Sequence, residues 1–113
     1  DKIKVVIADA TKPIEVLNAV LAANDGKEVD IAINCVNVQN TEMSTILPVK
    51  DLGIAYFFSM ATSFTKAALG AEGVGKDVTM IVGNGYTKDH AAITLEELRE
   101  SAVLREIFNE LYV

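Results

Sequence analysis

A glycine-rich stretch, residues 70–77, has almost the spacing that phosphate-binding loops use. It reads GAEGVGKD and contains Gly-x-x-x-x-Gly-Lys. Such loops follow a strand and open a helix, whose backbone N–H groups hold phosphate, and a Ser or Thr after the Lys meets magnesium. Here Asp77 follows Lys76, and apolar residues 67–69 precede the glycines while a predicted strand follows. We therefore interpret the stretch as a connection into a strand.

The sequence gives weaker support to phosphoacceptor, thiol, histidine and zinc chemistry. Asp9 ends the first predicted strand, as a phosphoacceptor does, but the other strand ends lack the acidic residues and the lysine that this chemistry needs. His90 and Cys35 are the single histidine and cysteine, which excludes an internal disulfide and argues against a zinc site. We interpret Cys35 as an inert core thiol and His90 as a structural or solvated side chain.

Length and composition predict one small domain over residues 1–113. Half of the residues are apolar, which is enough for a core. The net charge of -6 disfavours nucleic acid as a partner. No apolar run approaches the roughly 18 to 20 residues that span a membrane, and no leader is visible, so we expect a cytoplasmic location. The chain begins with Asp1, and we expect it to be part of something longer.

Short apolar runs alternate with helical patterns along the chain. Strands are predicted at 3–8, 29–36, 53–60 and 78–82, and helices at 12–26, 41–47, 64–69, 91–99 and 102–112. Strands that are apolar on both faces indicate an α/β fold with a mostly parallel sheet covered by helices.

Several residues are expected to begin or end these helices. Thr11 is placed to cap the first helix, and Gly26 is placed to end it. Thr94 with Glu97 has capping-box spacing, and Ser101 can cap the last segment.

The carboxyl ends of the predicted strands carry small or polar residues. In parallel sheets, ligands sit beyond these ends. The ends are residues 8–9, 34–37, 59–62 and 83–85. They suit a binding crevice, and they equally suit ordinary turns, so the residues alone leave both interpretations open.

Three segments resemble one enzyme family. They are INCVN at 33–37, YFFSMATSFTKAALGAEGVGKDVTMIVGNGYTKDHA at 56–91 and TLEELRE at 94–100. Over essentially all of its length the chain resembles the L-erythro-3,5-diaminohexanoate dehydrogenases, lysine-fermentation enzymes related to medium-chain, zinc-type alcohol dehydrogenases. The resemblance implies a partial Rossmann fold whose four strands are strands 3, 4, 5 and 6 of the order 3-2-1-4-5-6. The first βαβ unit, with its glycine fingerprint, and the catalytic domain are missing.

The resemblance also implies an activity for the complete enzyme. It oxidatively deaminates L-erythro-3,5-diaminohexanoate to 5-amino-3-oxohexanoate and ammonia, passing hydride to NAD or NADP. The implied cofactor contacts are Cys35, Val36, Asn37, Ser59, Met60, Ala61, Gly83 and Asn84. No catalytic residue and no metal ligand is assigned, and the chain alone is expected to be inactive. The alternative is a stand-alone α/β module that binds a nucleotide or a partner without catalysis.

The missing strands have a physical consequence. Without them the strand at 29–36 has a free apolar edge, and unpaired backbone groups seek partners. We expect either that the first strand pairs with the second or that the edge binds another chain, giving a dimer. The glycine-rich stretch would then connect the third and fourth strands near the cofactor end of the sheet.

Overall fold

Three parallel strands alternate with helices in the computed structural model, which describes residues 2–83 and 86–113. The elements are α1 (Pro13–Ala23), β1 (Val29–Asn34), α2 (Glu42–Ile46), β2 (Val49–Phe57), α3 (Phe64–Gly73), β3 (Thr79–Val82), α4 (His90–Glu100) and α5 (Ala102–Tyr112). The predicted α/β class and partial Rossmann-like architecture are confirmed. In the described ranges, no helix is both long and apolar enough to cross a bilayer.

The sheet has the order β1-β2-β3, and both pairings are parallel. Asn34 lies opposite Phe57, and Phe57 lies opposite Val82. The pairing continues one step further, since Phe58 N–H donates to Asn34 O at 2.9 Å and Gly83 N–H donates to Phe57 O at 2.9 Å. The carboxyl ends of all three strands therefore lie at the same end of the sheet.

The buried core lies on one face of this sheet, beneath α2 and α3. Its members are Ile46, Val49, Ala55, Phe57, Ala67 and Ala71. Ala67 and Ala71 are four residues apart, so they lie on the same side of α3, and their small side chains let the helix approach the strands. Gly70 allows equally close packing on α2, because a Cβ there would clash with Met43 Sδ.

The opposite face of the sheet is open and apolar. Ile31 is 55% exposed, Ile33 65% and Ile81 40%. Neither α4 nor α5 has a fully buried residue, and α5 leaves Val103, Ile107 and Leu111 exposed. An apolar surface of this extent is typical of a face that another part of a protein covers.

The predicted strand at 3–8 is not formed. Residues 2–8 have no strand pairing, and Val5 and Ile7 are 90% and 97% exposed. The segment is tethered instead through Lys4, whose Nζ donates to Ala23 O at 2.6 Å. A strand needs a partner for its backbone groups, and the expected rearrangement against the second strand does not occur here.

Two of the predicted helix boundaries are confirmed. Gly26 has a φ of +75° and donates its N–H to Leu21 O at 2.7 Å, which ends α1. Ser101 caps α5 by accepting a hydrogen bond from Leu104 N–H at 3.2 Å. Both positions act through purely local geometry, which the sequence displays directly.

Two other predicted caps are wrong. The Thr11 hydroxyl donates to Asp9 Oδ1 at 2.7 Å, so it closes a turn before α1 and does not cap the helix. Thr94 lies inside α4 and donates to His90 O at 2.9 Å. Threonine hydroxyls satisfy nearby backbone or carboxylate acceptors as readily as they cap helices.

Candidate functional site

The predicted cofactor contacts that the structure describes gather at the end of the sheet where the strands have their carboxyl ends. They follow the carboxyl ends of the strands: Cys35, Val36 and Asn37 after β1, Ser59, Met60 and Ala61 after β2, and Gly83 after β3. The parallel register brings them together. Asn84, the remaining predicted contact, lies outside the described residues. Contact with a cofactor remains a prediction for the whole set.

The loops after β1 and β2 have fixed backbones and exposed side chains. Val36 N–H donates to Asn34 Oδ1 at 2.9 Å, and Ala61 N–H donates to Ser59 Oγ at 3.1 Å. Met60 is 87% exposed. Cys35 is exposed as well, so its interpretation as a core thiol is wrong. The reason is that β1 ends at Asn34, and the chain leaves the core one residue before the cysteine.

A buried polar network holds the start of α2 against β1. Asn34 Nδ2 donates to Thr41 Oγ1 at 2.8 Å and to Thr45 Oγ1 at 2.9 Å. The Thr45 hydroxyl in turn donates to Thr41 O at 3.0 Å. Asn34 is 4% exposed and each of its polar atoms is bonded, which is the condition for burying an amide at low cost. Its sequence signal is a single asparagine at the end of an apolar strand.

A polar cavity of about 370 Å³ opens between the loops after β1 and β2, and we term it the loop cavity. Its lining residues are Gln39, Asn40, Glu42, Met60, Ala61, Thr62, Ser63 and Lys66. Glu42 is 3% exposed, and its Oε1 accepts a hydrogen bond from Ser63 N–H at 2.9 Å. Lys66 Nζ donates to Asn40 Oδ1. Neither charged residue was a predicted site residue.

A second, mostly apolar cavity of about 340 Å³ lies between α1 and β1. Val16 and Val20 line it from α1, while Ile31 and Ile33 line it from β1. It runs beside the free edge of the sheet. Its apolar walls therefore continue the uncovered surface of the open face.

The glycine-rich stretch lies at the opposite end of the sheet, near the amino ends of the strands, before β3 begins. Lys76 Nζ donates to Glu28 Oε1 and to Val49 O, both at 2.7 Å. Leu52 N–H donates to Asp77 O at 2.6 Å. Residues 70–73 of the stretch end α3, so the interpretation as a connection into a strand is confirmed only for residues 74–77. The expected position near the cofactor end is wrong. The lysine is engaged in structural bonds, away from the carboxyl ends of the strands.

Three other titratable groups, Asp9, Asp30 and His90, have local structural partners. The Thr11 hydroxyl and backbone N–H lower the pKa of Asp9 by hydrogen bonding to its carboxylate. A hydrogen bond from Lys50 lowers the pKa of Asp30. His90 Nδ1 lies 2.6 Å from Thr87 O. Within the described ranges, no three His, Cys, Asp or Glu side chains form a group that can hold a metal ion.

The residues that follow the carboxyl ends of the strands fit part of a dinucleotide cofactor. The loops after the strands offer small residues and exposed backbone, which suit the flat nicotinamide end. The starts of the nearby helices suit pyrophosphate less well: α2 begins with the carboxylate of Glu42, and the N–H of Ser63 before α3 is already bonded to that carboxylate. The residues therefore fit contacts with the ring better than contacts with the phosphates.

Comparison with known proteins finds two curated dehydrogenases that match the chain along nearly its whole length. It is 85% identical over 113 residues to an L-erythro-3,5-diaminohexanoate dehydrogenase of Fusobacterium nucleatum, covering 100% of the chain and 33% of that protein. It is 68% identical over 109 residues to the protein of that name in Acetoanaerobium sticklandii, covering 96% of the chain and 32% of the relative. The chain thus spans about a third of the length of these relatives. No protein-family model matches it.

Proposed function

We propose that this chain is the later part of the cofactor domain of an L-erythro-3,5-diaminohexanoate dehydrogenase. The complete enzyme would oxidatively deaminate its substrate to 5-amino-3-oxohexanoate and ammonia, with NAD or NADP as the hydride acceptor. The observation that carries the proposal is the identity of 85% over 113 residues and 68% over 109 residues to two relatives of that name.

Within that enzyme, the residues after the strands position the cofactor. Cys35, Val36 and Asn37 line the crevice beside β1, and Ser59, Met60 and Ala61 face the nicotinamide, with Gly83 and Asn84 at the border of the same end. The bound cofactor supplies the hydride acceptor, and these residues orient it and limit access of water. The chain alone is inactive in this proposal, because it contains no Gly-x-Gly-x-x-Gly fingerprint to hold the pyrophosphate.

The free edge of β1 supports a proposal about partners. In the complete polypeptide the edge and the open face would be covered by the two thirds of the chain that the relatives have beyond this region. When the chain is produced alone, the exposed Ile31 and Ile33 favour pairing with a second copy, giving a dimer.

The function is tested with a chimera in which this chain replaces the matching third of the Fusobacterium relative. We expect NAD(P)-dependent oxidation of L-erythro-3,5-diaminohexanoate by the chimera and none by the 113-residue chain. Fluorescence titration with NADH and NADPH measures cofactor binding by both proteins. A folded chimera without this activity contradicts the proposal. Equal NAD(P)H affinity of the chain alone and the chimera supports a stand-alone nucleotide-binding module instead.

The dimer is tested by sedimentation equilibrium of the chain alone over a range of concentrations. We expect a monomer–dimer equilibrium that Ile33→Lys shifts toward monomer, because a charge on the edge strand opposes strand pairing. The matched control is Val103→Lys, which adds the same charge on α5. A chain that stays monomeric at all concentrations contradicts the proposal.

A further inference from the structure

The loop cavity holds two charges of opposite sign that are not paired with each other. Glu42 is 3% exposed, and among the described residues no Lys, Arg or His nitrogen lies within 4.0 Å of its carboxylate. Lys66 bonds to a neutral partner, Asn40 Oδ1. Carboxylates this deeply buried are almost always paired with a cation. The cavity is therefore electrostatically incomplete.

The buried groups of the cavity also have spare hydrogen-bonding capacity. A carboxylate has about four acceptor sites, and Ser63 N–H is the one described donor to Glu42. Thr62 lines the same cavity, and its Oγ1 is inaccessible to solvent and has no partner in the described part of the chain. Glu42 therefore keeps acceptor sites for a molecule that enters the cavity, and Thr62 is an unpartnered polar group beside it.

The charge of Glu42 is not needed to hold the neighbouring helices. The start of α2 is fixed by Asn34, which donates to the hydroxyls of Thr41 and Thr45. The start of α3 is capped by Ser63 Oγ, which accepts from Lys66 N–H at 3.3 Å. A glutamine at position 42 would accept the same bond from Ser63 N–H. The negative charge is thus surplus to the local structure.

The arrangement selects the chemistry of a ligand. The buried carboxylate of Glu42 favours a positively charged donor, and the exposed ammonium group of Lys66 favours an anion. The complement of both is an amino acid that carries an ammonium group and a carboxylate. Phosphate would place negative charge beside the buried carboxylate. The cavity of about 370 Å³ is within the size range of small-molecule sites.

We propose that the loop cavity binds the diamino acid substrate, with Glu42 accepting hydrogen bonds from an ammonium group and Lys66 facing the carboxylate. This assignment rests on the proposed function, which supplies a substrate with those groups. Met60 and Ala61 line the same cavity, so the bound substrate lies beside the residues proposed to face the nicotinamide. Glu42 and Lys66 act here as specificity-determining residues.

The test is Glu42→Gln in the chimera, with Glu72→Gln, on the exposed surface of α3, as the matched control. Removing one charge of a buried pair is expected to raise KM for the diamino acid roughly 10- to 100-fold. The Kd for NADH and the midpoint of thermal unfolding should match the control. A KM equal to that of the control overturns the assignment, as does a rise in KM accompanied by an equal rise in the Kd for NADH.

Calorimetric titration of the chimera with L-erythro-3,5-diaminohexanoate separates this assignment from the proposed activity. Binding that Glu42→Gln weakens supports the cavity even if the chimera shows no turnover. Turnover with binding unaffected by Glu42→Gln overturns the cavity and leaves the activity standing. Absence of any binding overturns the cavity as well.

A substitution of Lys66 provides a second test. Because Lys66 is exposed, replacing it does not put the folding of the chain at risk as a substitution in the core does. Lys66→Met should weaken binding of the diamino acid but leave binding of 2,4-diaminopentane unchanged, since that compound keeps both amines and lacks the carboxylate. Equal weakening for both ligands, or for neither, overturns the role of Lys66.

Discussion

Replacing Asn34 with alanine is expected to loosen the start of α2 and lower the stability of the chain. The amide of Asn34 joins β1 to α2 and to the loop that follows β1. It donates to Thr41 Oγ1 and Thr45 Oγ1 and accepts from Val36 N–H. Asn34→Ala removes all of these bonds at a site that is 4% exposed.

The magnitude follows from what each former partner can do afterwards. Three hydrogen bonds at about 1 kcal/mol each would give about 3 kcal/mol. The hydroxyls of Thr41 and Thr45 keep acceptors, Val38 O at 3.4 Å and Thr41 O at 3.0 Å, so they are not stranded. Val36 N–H loses its partner but is only partly buried, so water can reach it. We therefore expect a loss of about 2 to 3 kcal/mol in the free energy of unfolding.

The assay is urea unfolding of the chain at one fixed protein concentration, followed by far-UV circular dichroism. Asn18→Ala is the matched control, because Asn18 is exposed on α1 and the same side-chain atoms are removed there. The control should change the free energy of unfolding by less than about 0.5 kcal/mol. The m value, which is the slope of the free energy of unfolding against urea concentration, should be the same for the unaltered chain and for both variants.

The reasoning is refuted if Asn34→Ala is no less stable than Asn18→Ala. That result would mean that water replaces the amide without cost, and that the network does not hold α2. A change in the m value would instead show that the variant alters the compactness of the unfolded or folded chain.

Three further predictions concern other parts of the fold. Gly53→Ala should lower the free energy of unfolding by about 1 to 3 kcal/mol, because a Cβ there would lie 2.6 Å from a valine methyl group; an unchanged urea midpoint contradicts this. Lys76→Met should lower stability by about 1 to 2 kcal/mol through loss of its bond to Glu28 and leave NADH affinity of the chimera unchanged; a loss of affinity would revive the phosphate-loop interpretation. Thr11→Val should raise the pKa of Asp9 toward its ordinary value, as measured by carbon NMR titration. Because the pKa of Asp9 is lowered in the folded state, the contribution of this turn to stability is present above the unfolded pKa and is lost as pH falls through the folded pKa. An identical Asp9 titration in the unaltered chain and in Thr11→Val contradicts this prediction.

The elements with strong local patterns were predictable from the sequence. The β-branched run at 29–36 gave a strand, which ends at Asn34, and the helical spacing at 102–112 gave α5, because each pattern follows the period of its own element. The start of β2 was not predictable, since Lys50 and Asp51 break the apolar pattern while the backbone already pairs with β1. The strand at 3–8 failed for a different reason: its pattern is correct for a strand, but the segment does not pair with the free edge of β1.

The candidate site was predictable in position but not in composition. Parallel strands place their carboxyl ends together, so the strand ends at 34–37 and 59–62 could be identified from the strands alone. Glu42 could not, because an acidic residue at a helix start usually lies in water. It is buried here by the loop that contains Ser63, 21 residues further along the chain. Such long-range burial has no signature in local sequence.

The buried core draws its side chains from one continuous part of the chain. Among the residues that the structure describes, every buried one lies between Asn34 and Ala71. The crossovers through α2 and α3 connect strands that are neighbours in both sequence and space. Contacts between residues that are close in sequence form quickly, because little loop entropy is lost in making them. During synthesis this unit can therefore assemble as soon as β3 has emerged from the ribosome, before α4 and α5 are complete.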